Sequence, residues 1–203
     1  IAFTDNGFIV GSPALDYYNH SHCSNTVFNL DRIIGKKHKE CKNFLTQNEV
    51  IAIEDDNFYF ILKNSSSIIL VTPEQIATEF IKAMFSFVRQ YLQDFDALLT
   101  IIVPAHFNNS QRHSVKKALE SANLEIESTI IISDLVALSA EFLHQSSMHI
   151  FETNSLIIDI TSSYINAAVL CITTEEEKLV IVHDQVFSGN NFSGLLLFNT
   201  LLN

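Results

Sequence analysis

The chain has 203 residues, 47% of them hydrophobic, and a formal charge of −11, with an isoelectric point near 5.0. A chain of this size can bury a real core and form one to two compact units. Its charge argues against a surface for DNA or RNA phosphates, and Lys36-Lys37-His38-Lys39 is short enough to be a solvated turn.

The longest apolar runs, among them residues 68–71 and 98–103, are far too short to cross a bilayer. Cys23, Cys41 and Cys171 form no Cys-x-x-Cys pair, which suits a reducing compartment. His20-Ser21-His22-Cys23 has no second cluster to complete a metal site and reads as a polar loop. The sequence opens at Ile1 within a strand-like pattern, lacks an initiator Met and a leader, and ends within an apolar helical pattern. It is expected to be a piece of a longer protein, and its compartment to be the cytoplasm.

In chain order, residues 1–4 and 8–10 flank Asp5-Asn6-Gly7 as a hairpin. Residues 16–24 read as polar and irregular, and 25–35 as a helix with Val27, Leu30, Ile33 and Ile34 on one side, closed by Gly35. Strands are predicted over 50–53, 58–62 and 67–71, joined by polar turns, a meander that serves as a lid or platform. Thr72-Pro73-Glu74-Gln75 starts a helix, with Thr as cap, Pro at the first position and Gln three residues after the cap. Ile76, Phe80, Phe87, Val88 and Tyr91 then recur at helical spacing as a core-facing stripe, to about Gln93.

Residues 98–103 read as a strand buried on both faces. Then come a loop at 104–109, a helix over 110–122 stopped by Asn123, a buried strand at 130–133 and a helix from 135 to 144. The alternation implies parallel strands with crossover helices. Ligands in such sheets gather beyond the carboxyl ends of the strands, where 104–109 and Ser133-Asp134 lie. After a polar joint at 145–154, strands at 155–160, 164–172 and 179–186 form an antiparallel meander, and 192–202 begins another helix.

Two segments are long and specific. Val103-Pro104-Ala105-His106-Phe107-Asn108-Asn109-Ser110-Gln111-Arg112 resembles Val-Pro-Ala-Tyr-Phe-Asn-Asp-Ser-Gln-Arg of the seventy-kilodalton heat-shock chaperone family. Asn25-Thr26-Val27-Phe28, with Arg32-Ile33-Ile34-Gly35, resembles that family's Asn-Thr-Val-Phe-Asp-Ala-Lys-Arg-Leu-Ile-Gly. Shorter matches are Ile1-Ala2-Phe3-Thr4-Asp5, Ile9-Val10-Gly11, Ile131-Ile132-Ser133-Asp134, Ile157-Ile158-Asp159 and Ser188-Gly189-Asn190-Asn191-Phe192.

The resemblance implies an α/β, ribonuclease-H-like fold of the actin, hexokinase and heat-shock ATPase type, present in part, with mixed sheets and crossover helices. By it, residues 1–73 form a lid-like subdomain, 74–150 part of the first core subdomain, and 151–203 the start of the second. The rest of the ATPase domain and the peptide-binding domain are expected outside this sequence. ATP or ADP with Mg²⁺ is the implied cofactor, if binding is retained. A J-domain protein, a nucleotide-exchange factor or another chaperone is the implied partner, in protein folding and the stress response.

The resemblance also exposes departures. The family's catalytic Lys is Asp31 here, where a carboxylate repels phosphate instead of stabilising its developing charge. Two like charges about 4 Å apart repel by about 1 kcal/mol in water and about 4 kcal/mol at an effective dielectric of 20. The alternative is that Asp31 and Arg32 form the exposed face of a helix.

The family's second phosphate loop, Asp-Leu-Gly-Gly-Gly-Thr-Phe-Asp, is Asp159-Ile160-Thr161-Ser162-Ser163-Tyr164-Ile165-Asn166. Glycines there let successive amides converge on a phosphate. Thr161 resists that geometry, Ser162 and Ser163 imitate it only in part, Tyr164 brings a large ring, and Asn166 removes a carboxylate. Asp159 keeps the carboxylate that would approach hydrated Mg²⁺, and Asp134 is a shortened stand-in for the family's Glu. Either could instead cap a strand end or the following helix.

The implied nucleotide contacts are thus Asp159, Thr161, Ser162, Ser163, Tyr164 and Gly189, with Asp134 and Asp159 at the catalytic positions. Pro104 and Arg112 stand at family positions that relay the nucleotide state. The expectation is an atypical relative with impaired hydrolysis, acting as a cochaperone or regulatory partner. The alternative is a fully active ATP-dependent chaperone. A sugar kinase or actin-like filament protein has no supporting motif.

Overall fold

Strands β1 (Ala2–Thr4) and β2 (Gly7–Ile9) pair antiparallel with Thr4 opposite Gly7. Gly7 adopts φ +101°, and the Thr4 hydroxyl donates to its carbonyl at 2.9 Å, so the turn chemistry read from Asp5-Asn6-Gly7 closes the hairpin. The computed structural model describes residues 1–20, 23–91, 98–124, 128–145, 153–161, 164–172 and 179–183. The chain divides into two compact units: Ile1–Leu98 with Asn108–Ser128, and Leu99–Phe107 with Thr129–Asn203.

The first unit departs from expectation at two places. Helix α1 (Ser12–Asn19) occupies much of the stretch expected to be irregular; Pro13 stands in its first turn and Ala14 is buried beneath it. The expected helix over 25–35 is absent. Short 3₁₀ turns at Cys23–Asn25 and Leu30–Arg32 flank an extended stretch, in which Thr26 bridges Ala2. Tertiary hydrogen bonds override the helical period. The Asn25 side chain donates to the Lys63 carbonyl and accepts its N–H, Asn48 Nδ2 donates to the Thr26 carbonyl at 2.8 Å, and Asn29 turns left-handed at φ 50°. Val27, Ile33 and Ile34 are still buried, so the apolar pattern identified core residues while misassigning their backbone.

The lysine run forms a single helical turn, α2 (His38–Cys41), with the Lys37 N–H donating to Glu40 Oε2 at 2.7 Å. Strands β3 (Val50–Ala52), β4 (Phe58–Lys63) and β5 (Ile68–Val71) form the expected antiparallel meander in that order. Phe58, Phe60, Leu62 and Val71 point inward to join Phe3, Val27, Ile33, Leu45 and Ile76 in one core.

Helix α3 (Pro73–Tyr91) has the reciprocal cap read from the sequence: Gln75 N–H donates to Thr72 Oγ1 at 3.2 Å, and Thr72 N–H to Gln75 Oε1 at 2.8 Å. Its stripe is not the core face that was expected. Ile76 is buried, but Phe80, Phe87 and Val88 are exposed, Phe87 by 56%. Helical spacing identifies a face, not what covers it.

Strand β6 (Leu98–Val103) precedes helix α4 (Asn109–Ala122), which is capped by Asn108 and Gln111 reciprocally and ended by Asn123 in the left-handed region. Its inward face is Gln111, Ser114, Val115, Ala118, Leu119 and Ala122, and Thr78 of α3 donates to the Ala118 carbonyl at 3.3 Å.

Strand β7 (Ser128–Ser133) neighbours β6 in a two-stranded sheet and leads into α5 (Asp134–Gln145). Neither strand is buried on both faces as expected: Leu98, Ile102 and Ile130 are more than half exposed. A continuous apolar run records a strand's capacity for burial, and burial of both faces needs a layer on each. Strands β8 (Thr153–Ile160), β9 (Ile165–Ile172) and β10 (Leu179–His183) form the second antiparallel meander. The helix expected over 192–202 lies outside the described residues. No helix among them is long and apolar enough to cross a membrane.

Candidate functional site

Five residues singled out from the sequence, Asp134, Asp159, Thr161, Tyr164 and Asn166, meet in the second unit. The β8–β9 register sets Asp159 directly opposite Asn166, so their side chains share one face. The connection between the strands is closed by its own ends. The Thr161 N–H and hydroxyl both donate to the Tyr164 carbonyl at 3.0 Å, and the Tyr164 N–H donates back to Thr161 Oγ1 at 3.0 Å. Two amides that a phosphate-binding loop would present outward are therefore engaged within the loop.

Asp134 begins α5, where Ser133 Oγ caps the helix by accepting the Val136 N–H at 3.3 Å. Asp134 has other partners. Its Oδ1 accepts the N–H groups of Ala105 at 2.9 Å and Leu135 at 2.7 Å. Its Oδ2 accepts the Tyr164 hydroxyl at 3.1 Å and Asn166 Nδ2 at 2.9 Å. A carboxylate offers about four lone-pair directions, and here four donors fill them. Beneath this cluster Ala105, Leu135 and Ala168 pack with Ile157, which fixes the loop after β6, the start of α5 and the two strands against one another.

Asn166 is fully buried, and its Oδ1 has no hydrogen-bond partner. The Asp159 carboxyl is raised above its ordinary value, first by burial and then by the negative Asp134, with the Asn166 amide acting in the opposite direction. The His106 ring meets Tyr164 edge-on, with 4.9 Å between centroids. Sequence reasoning missed His106 and the Ala105 amide. The loop after β6 was marked as a ligand-side loop, but nothing in its spacing shows that it holds Asp134.

Asp31 sits on the 3₁₀ turn of the first unit, not on a helix, and its carbonyl accepts Gln111 Nε2 at 3.4 Å. Arg32 stacks its guanidinium over Phe44 at 5.0 Å. Arg112 lies in the first turn of α4, its N–H bonded to the Asn108 carbonyl at 3.0 Å. Pro104, in the second unit, accepts the Phe107 N–H at 3.0 Å. Ser162, Ser163 and Gly189 lie outside the described residues. Among the described residues no three His, Cys, Asp or Glu side chains are grouped to hold a metal ion.

A family model described as Hsp70 protein matches residues 1–192. That match takes in both long motifs, the Asp134 cluster and nearly the whole of the sequence, and by it the chain belongs to the Hsp70 family.

Proposed function

We propose that this chain is part of the nucleotide-binding domain of an atypical Hsp70-like chaperone with impaired ATP hydrolysis, acting as a cochaperone or regulatory partner in protein folding. Domains of this family are chaperone ATPase domains that generally bind ATP or ADP with Mg²⁺ and work with J-domain proteins and exchange factors. The α/β elements, in small mixed sheets, are assigned in this reading to the ribonuclease-H-like fold. Residues 1–73 are taken as the lid-like subdomain, 74–150 as the first core subdomain and 151–203 as the start of the second. The cytoplasm, where the family is commonly found, is taken as its compartment.

The observation that carries the reading is the saturated Asp134 carboxylate. Two of its four donors, Tyr164 and Asn166, are the very residues at which the sequence departs from the family pattern. These side chains do not fit a magnesium nucleotide. A carboxylate already holding four donors has no lone pair directed at a metal-bound water, and the Thr161 and Tyr164 amides face inward. By the family pattern Asp31 adds to the deficit, since it stands at the position of a lysine that would offset charge on a transferring phosphoryl group.

The test is single-turnover conversion of labelled ATP by the full-length protein, after isolation of any ATP complex by rapid gel filtration. Retention of ATP without conversion, or no complex at all, is the expected result. Conversion at a rate typical of an active chaperone would sink the reading and establish the fully active alternative.

A further inference from the structure

The meander in the first unit buries one face and leaves the other uncovered. Ile51 stands opposite Tyr59, Ile61 opposite Leu70 and Lys63 opposite Ile68. With the two-residue period of a strand, these side chains share the face opposite Phe58, Phe60, Leu62 and Val71. That outer face is apolar: Ile68 is 66% exposed, Leu70 53% and Ile51 45%, and Ile53 continues the line beyond β3. A solvated sheet face ordinarily alternates to polar side chains, and a contiguous apolar patch marks an interaction site.

Charge selects the occupant. The connection from β3 to β4 carries Glu54 and Asp55, both exposed, and the half-buried Asp56. Asp55 and Asp56 hold left-handed backbone, and the Ile53 N–H donates to the Asn57 carbonyl at 2.8 Å across the turn. Asp56 accepts the Lys39 N–H at 3.1 Å, and Lys37 Nζ bonds the neutral Asn57 side chain at 3.0 Å. Among the described residues no ion pair joins these three carboxylates to a cation. At the other end Lys63 is neutralised by Glu49. The patch is therefore apolar with an acidic rim on one side.

The geometry points to the outer face of β3–β4–β5 as a docking surface for a basic amphipathic helix of a partner protein. Its apolar stripe covers Ile51, Ile61, Ile68 and Leu70, as a helix covers a sheet, and its Lys or Arg side chains meet Glu54, Asp55 and Asp56. A second copy of this chain brings the same acidic rim and a further −11 of formal charge, and an anionic membrane is repelled in the same way.

The probe is a fluorescent peptide of about 18 residues, roughly five helical turns, built of Leu and Lys at amphipathic spacing. Its control has the same composition shuffled to destroy the apolar face. Anisotropy is read with the full-length protein at about 0.15 M salt, where surface charges beyond about 8 Å are screened. The amphipathic peptide is expected to bind at least about tenfold more tightly than the shuffled one, and Ile68→Thr with Leu70→Thr to weaken it by about tenfold. Threonine keeps the strand preference of the sites, and unfolding midpoints close to wild type check that the fold persists. Glu54→Gln with Asp55→Asn and Asp56→Asn is expected to weaken binding severalfold, while Met84→Ser with Phe87→Ser on α3 leaves it unchanged. Equal binding by all variants, or loss with the α3 pair alone, overturns the proposal. So does a dimer, or vesicle binding, that the Ile68/Leu70 pair abolishes while peptide binding shows no preference.

Discussion

Asp159 and Asn166 face each other across the β8–β9 ladder, and the Asn166 amide lies between two carboxylates. Its Nδ2 donates to Asp134 Oδ2 at 2.9 Å and also counters the rise in the Asp159 carboxyl. An aspartate at 166 would put a third negative charge in this buried place. The amide is a neutral group set beside both Asp134 and Asp159.

That bridge is incomplete, because Asn166 Oδ1 is buried without a donor, and such an orphan costs about 1–3 kcal/mol. Asp159→Asn is expected to supply the donor and remove a charge whose burial is unfavourable. The folded-state value of Asp159 is raised above its ordinary 3.8. Its effect is therefore favourable below that pH, and the penalty grows as pH rises through the raised folded value. The variant should gain stability over wild type near pH 7 and lose that advantage below about pH 4. Thermal unfolding across this range reads it, and a gain independent of pH would assign the effect to the hydrogen bond alone.

Tyr164 presents two separable features, a hydroxyl on Asp134 and a ring against His106. Tyr164→Phe removes only the first and is expected to cost about 1–2 kcal/mol, a fall of about 2–8 °C in the unfolding midpoint of a chain this long. Tyr164→Thr removes both and restores the small hydroxyl of the family pattern. If the ring obstructs nucleotide, Tyr164→Thr binds Mg·ADP more tightly than either wild type or Tyr164→Phe. Equal affinities in all three would acquit the ring and leave the engaged loop amides as the obstruction.

What the sequence disclosed, and what it concealed, follows from how local each interaction is. The caps at Thr72 and Asn108 and the stop at Asn123 are made within one helical turn, so their residue types announce them. The stretch 25–35 failed because its Thr26 carbonyl is held by Asn48 and its Asn25 side chain by Lys63, both more than 20 residues away. Asp134 was legible as a candidate because of its place after a strand. Its saturation by Ala105, Tyr164 and Asn166 was not, since those contacts span about 30 residues and depend on side-chain direction. The substitutions at 164 and 166 were read as losses. The structure makes them replacements that serve each other through one carboxylate.

Gly35 constrains the turn that carries Asp31. Gly35 has φ +67°, and a Cβ there would lie 2.6 Å from Gln111 Cα and 2.8 Å from its N. The same contact is braced by Ser110 Oγ donating to the Gly35 carbonyl at 2.9 Å and by Gln111 Nε2 on the Asp31 carbonyl. Backbone meets backbone, so no flexible side chain can give way. Gly7, at φ +101°, has nothing within 4 Å of its would-be Cβ. Alanine at Gly7 therefore suffers only the positive-φ penalty, about 1 kcal/mol. Alanine at Gly35 adds overpacking of about 1–3 kcal/mol, and it must shift either the start of α4 or the Asp31 turn. Urea unfolding of the two variants separates these contributions. Gly35→Ala is expected to be the more destabilised by at least about 1 kcal/mol, and equal losses would show that the approach of Gly35 to Gln111 is not a constraint on the fold.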